Sequence, residues 1–66
     1  MKLYRLSVIT GNTTVERGVW ANDMIIKEGC YFFRDQMMEL LQSYPTRYTF
    51  ITSIETKEDY DARKAK

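Results

Sequence analysis

Met24-Ile25-Ile26-Lys27-Glu28-Gly29-Cys30-Tyr31-Phe32-Phe33-Arg34-Asp35-Gln36-Met37-Met38-Glu39-Leu40-Leu41-Gln42-Ser43-Tyr44 is the stretch whose reading decides the fold. As a helix, Ile26, Cys30, Phe33, Met37, Leu40, Leu41 and Tyr44 recur at spacings of three and four and form one stripe. Asn22 or Asp23 would cap its start, and Pro45 would follow its end. As strands, Met24-Ile25-Ile26 and Cys30-Tyr31-Phe32-Phe33 are short apolar runs, with turns at Glu28-Gly29 and Arg34-Asp35-Gln36. Met38, Leu40 and Tyr44 would then point inward along a further element. An intermediate reading keeps strands up to Phe33 and makes 35–43 a short helix, because Gln, Met, Glu and Leu are good helix formers. Gly29 in mid-pattern favours strands over one long helix.

The flanks are plainer. Lys2 to Thr10 alternates, with Tyr4, Leu6 and Val8 on one face. Gly11-Asn12 follows, a pair suited to the positive φ angles of a tight hairpin turn. Thr13 to Ala21 returns, with Val15, Val19 and Ala21 on one face and Glu16, Gly18 and Trp20 on the other. Gly18 in mid-strand predicts a bulge or a close backbone approach. Tyr48, Phe50, Thr52 and Ile54 alternate in a last strand rich in β-branched and aromatic residues. After Glu55 the hydrophobic residues nearly stop, so 56–66 reads as a charged, flexible tail, with Asp59 and Arg63 four apart as the one hint of a surface helix. The fold class is all-β: residues 1–55 as one small antiparallel meander or open barrel of about five strands. The alternative is α+β, a β-hairpin plus one helix within 23–44 plus a last strand.

The run from Ala21 to Phe33, an Ala-x-Asp opening, a short apolar strand, a Gly turn and an aromatic strand, resembles small, mostly β accessory proteins of phages and mobile elements. Glu39-Leu40-Leu41-Gln42-Ser43-Tyr44-Pro45 and Phe50-Ile51-Thr52-Ser53-Ile54-Glu55 are similar to the strands that close such meanders. The likeness covers most of residues 15–55 and carries no catalytic residue. It implies an all-β fold.

Composition narrows the chemistry. Sixty-six residues allow one small domain with a thin core. There is no His and only one Cys, which excludes imidazole catalysis, intramolecular disulfides and Cys/His zinc sites. The three glycines are isolated, so no phosphate-binding loop occurs. Ten Lys and Arg against nine Asp and Glu leave a net charge of +1, without the basic excess of most nucleic-acid binders. No apolar run approaches a membrane span, and the N-terminus lacks a signal-peptide core, so the cytoplasm is the expected location. Asn12-Thr13-Thr14 matches a glycosylation acceptor by chance.

Cys30 has no activating base, and the expectation is a structural thiol. Asp23, Asp35 and Glu39 sit at turns or polar positions rather than as a catalytic pair. No catalytic set, metal site or cofactor is expected. In a strand, Phe32 and the pair Tyr31/Phe33 face opposite ways, and a thin sheet cannot cover both faces. The expected partner-binding residues are Tyr31, Phe33, Trp20, Arg34, Arg47 and Tyr48. Arg47-Tyr48 with Tyr4, Arg5, Trp20 and Arg34 would alternatively make a surface for single-stranded nucleic acid. Met24, Met37, Met38 and Leu40-Leu41 read as a soft apolar surface that adapts to partners, with core filling the expected role for at least half of them. The expected function is non-enzymatic protein binding, extended by the resemblance to an accessory protein that inhibits a host protein. The alternatives are a nucleic-acid-binding module and a structural homo-oligomer, a homodimer included.

Overall fold

The computed structural model describes residues 1–65. The first hairpin forms as its alternation dictates: β1 (Lys2–Thr10) pairs antiparallel with β2 (Thr13–Ala21), Thr10 opposite Thr13. Of the two turn residues, Gly11 alone takes a positive φ, +60°. Gly18 runs through the ladder without a bulge, and its Cα side meets Leu3, whose Cδ1 would lie 3.4 Å from an added Cβ. Asn22 then turns the chain by one residue into β3 (Asp23–Lys27), its amide donating to the Arg34 carbonyl at 2.8 Å.

Beyond Asn22 the apolar runs are strands. β3 pairs with β4 (Cys30–Arg34) across Glu28-Gly29, both at positive φ, the geometry of a mirror-image hairpin turn. β4 pairs with β5 (Leu40–Pro45). A 3₁₀ turn over Thr46–Tyr48 leads into β6 (Thr49–Thr56), which returns to pair with β1. The result is two three-stranded antiparallel sheets, sheet A in the order β2-β1-β6 and sheet B in the order β3-β4-β5. The single meander or open barrel of about five strands is therefore corrected: six strands divide between two sheets, because the bend at Asn22 breaks the ladder. No helix occupies 23–44. The apolar stripe there is the coincidence of three strands and the turns between them.

Bulges fall where the partners skip a residue. Thr52 lies unpaired between Ile51 opposite Leu6 and Ser53 opposite Arg5, its hydroxyl donating to the Arg5 carbonyl at 3.2 Å. Leu41 lies unpaired between Leu40 opposite Arg34 and Gln42 opposite Phe33. The one α-helix among the described residues is α1 (Lys57–Lys64), in the segment expected to be a flexible tail. Thr56 caps it by accepting from the Asp59 amide at 3.1 Å, and Glu58 and Asp59 suit its positive N-terminus. Long-range contacts hold it: Tyr60 meets Trp20 edge-on at 5.0 Å, and Arg63 forks onto Glu55 at 2.8 and 2.9 Å. The anticipated Asp59–Arg63 pair is replaced by Lys57–Asp61 at 3.4 Å.

The core lies between the sheets. Tyr4, Leu6, Val19 and Ala21 from sheet A close over Phe33 from sheet B, with Val8, Met24, Tyr31, Tyr44 and Ile51 packed around them. It is small. The surface area of 4882 Å² exceeds the roughly 4,400 Å² usual for this mass. The Cα radius of gyration, 12.6 Å, exceeds the roughly 11 Å of a compact chain of this length. Much apolar area is left outside.

Candidate functional site

The pleat of β4 sorts the aromatic run between two environments. Tyr31 and Phe33 point at sheet A, while Cys30, Phe32 and Arg34 point away. Phe33 is fully buried, edge-on to Tyr4 at 5.1 Å and to Tyr44 at 6.1 Å. Tyr31 is half-buried against the same core. The expectation of a contact face at Tyr31 and Phe33 is thus corrected: sheet A covers that face, and the opposite one stays open.

On the open face, Ile25 and Phe32 line a cleft of about 230 Å³ with Met38 and Leu40, bounded by Lys27, Glu28 and Arg34. Arg34 is half-buried and committed. Its Nε and Nη2 donate to Asp23 Oδ1 and Oδ2 at 2.9 and 2.6 Å, a fork-to-fork pair. That hydrogen bond holds the Asp23 carboxyl below the usual carboxylate range and raises Arg34. Tyr4 is pushed up, chiefly by burial and then by the charge of Asp23.

The cleft continues into the β4–β5 hairpin tip. Here Asp35 builds the turn with its own carboxylate: Oδ1 accepts from the amides of Met37 at 2.8 Å and Glu39 at 3.0 Å. Its amide donates to the Glu39 carbonyl, and its carbonyl accepts from the Met38 amide. This scaffold forces Met38 to φ +64°, a left-handed conformation suited to Gly or Asn. It also lifts side chains into solvent, with Met37 78% and Met38 57% exposed, and Leu40 and Leu41 beside them. The tip reaches Met1 and Asp35-Gln36 on one side, where a second shallow cleft opens.

The other expected site residues are dispersed. Trp20 lies on the outer face of sheet A, partly covered by Tyr60. Arg47 and Tyr48 are exposed on the 3₁₀ turn, the guanidinium 5.8 Å from the ring centre. Tyr4 is buried. Arg5 lines a wide polar groove of about 540 Å³ with Ser53, Glu55, Asp59 and Arg63, where charges of both signs alternate. No single aromatic and basic surface assembles from this set. Of the soft apolar residues, Met24 fills core while Met37, Met38, Leu40 and Leu41 do not.

Of the carboxylates singled out earlier, Asp23 is occupied by Arg34 and Asp35 by the turn it closes, while Glu39 is exposed and gives only its backbone to that turn. Cys30 is half-buried and unpaired. Among the described residues no group of His, Cys, Asp and Glu has metal-binding geometry, and no helix is long and apolar enough to cross a membrane. Comparison with protein-family models, with curated proteins and with solved structures yields no match to this chain.

Proposed function

We propose that this chain is a non-enzymatic protein-binding module, and that its contact surface is the outer face of sheet B together with the 35–41 tip. Met38 carries the reading. A left-handed methionine costs about 1–2 kcal/mol that glycine would not, and its side chain is half out in water rather than packed. Strain retained for an exposed, flexible, polarisable side chain fits contact with another protein better than it fits stability. Phe32 and Ile25 give the tip an apolar floor, and aromatic residues and methionine are the types enriched where proteins meet. The narrower reading, an accessory protein that inhibits a host protein, rests on the resemblance of residues 15–55 to such proteins.

Affinity capture from the source cell tests this with two baits. A protein retained by the wild type and lost with Leu40→Lys supports the reading. Leu40 is exposed and makes no core contact, so the variant keeps its fold. Equal retention by both baits would contradict it.

A further inference from the structure

We infer that the open face of sheet B is built to receive a second copy of this chain, packed face to face and antiparallel. The inference rests on the proposed docking role of this face and names its occupant. The residues pointing outward read, along β3, Asp23, Ile25, Lys27, and along β4, Cys30, Phe32, Arg34. A two-fold axis lying in the interface, perpendicular to the strands, lays β3 on its own copy in the opposite direction. Ile25 then meets Ile25 and Phe32 meets Phe32 at the axis, while Lys27 meets Asp23 of the copy. Arg34, at the end of β4, falls opposite Cys30 of the copy, beside the Glu28-Gly29 turn that precedes the copy's β4. Acid–apolar–base is a pattern that complements its own reverse, which is what a two-fold contact requires.

The intramolecular pairing agrees with this. Asp23 and Arg34 form one neutral fork at the tip end, and Lys27 and Glu28, neighbours that are not ion-paired, cancel in charge at the turn end. Neither copy therefore brings net charge to the contact, and the net charge of +1 opposes association little. The strips sit at the usual sheet-packing distance of about 10 Å. The tips extend the contact beyond the strands, with Met38 and Leu40 lining the same cleft as Phe32.

Size sets the strength. Three strands of five or six residues span roughly 14 by 20 Å, well under the roughly 800 Å² per partner of a standard interface. The dimer is accordingly weak and concentration-dependent. Sedimentation equilibrium from roughly 10 µM to roughly 1 mM covers the dissociation constants such a contact gives. The wild type should shift from monomer towards dimer across that range. Lys27→Glu should remove the dimer at every concentration with an unchanged melting temperature, because Lys27 is exposed and has no ion-pair partner within its own chain among the described residues. Arg47→Glu, an equal charge change on the 3₁₀ turn, should dimerise like the wild type. A wild type monomeric throughout overturns the inference, and so does a dimer indifferent to Lys27→Glu. A monomer that still captures another protein through Leu40 overturns the second copy alone and leaves the docking role standing.

Discussion

Phe33 is where the two sheets are joined, so its truncation should separate them. The ring is fully buried and contacts two other rings edge-on, Tyr4 and Tyr44. Each such pair contributes about 0.5–1.5 kcal/mol beyond buried area, and replacing a buried Phe by Ala generally costs about 3–5 kcal/mol once the cavity is included. A chain of 66 residues at about 0.05–0.15 kcal/mol per residue has only about 3–10 kcal/mol in total. Phe33→Ala should therefore be unfolded or nearly so. Phe33→Leu, which keeps most of the volume and loses both ring contacts, should lose about 1–2 kcal/mol. Urea denaturation of the Leu variant, followed by far-UV circular dichroism and by Trp20 fluorescence, reads this as a lower midpoint with an unchanged slope. A Leu variant with the wild-type midpoint, or a well-folded Ala variant, would refute Phe33 as the inter-sheet core residue.

Three further outcomes follow from local features. The Thr49 hydroxyl is buried opposite Val8 with no hydrogen-bond partner, so Thr49→Val should raise stability by about 1 kcal/mol; thermal unfolding measures it, and a fall would mean the hydroxyl is satisfied. Met38→Gly relieves a left-handed residue at the expense of a floppier unfolded chain; a net gain of about 0.5 kcal/mol and weaker partner binding should appear together, and a destabilised Gly variant would remove the strain argument. Asp23 and Glu55 are both held below their ordinary range in the folded chain, first by hydrogen bonds from Arg34 and Arg63 respectively. The unfolded chain therefore takes up protons first, so their stabilisation is complete above the ordinary carboxylate range, about pH 4, and is lost as pH falls through the lower folded values. Thermal melts from neutral to acid pH should fall in that window, and Asp23→Asn should flatten part of the fall; an unchanged acid limb would show that the Arg34 fork contributes nothing.

What was legible in the sequence is what local rules control. The β1–β2 hairpin followed from strict alternation around Gly11, and the Glu28-Gly29 turn followed from a Gly between two apolar runs. Residues 35–41 were opaque because the turn uses neither Gly nor Asn at its left-handed position. Asp35 closes it with a side chain, and Gln36, Met37, Met38 and Glu39 are good helix formers whose propensity is overridden. The opposite facing of Phe32 and Phe33 was readable from parity. Which of them is buried was not, since that depends on the bend at Asn22 that folds sheet B back with Phe33 against Tyr4. The α1 helix had its signals at Thr56, Glu58 and Asp59, but eight residues are too few to hold a helix alone. Trp20 and Glu55, distant or outside the segment, supply its anchors. The apolar tip was visible as a run of methionine and leucine, whereas its exposure was a tertiary fact.

The most direct test places a photoreactive benzophenone side chain at Met37, the most exposed of the large apolar tip residues, with the same group at Thr14 on sheet A as the reference. Irradiation of the protein in its source cell, followed by electrophoresis and mass spectrometry, records what touches each position. A surface built for protein contact predicts discrete protein adducts at position 37 and none at position 14. Adducts at neither position, or equally at both, would contradict it.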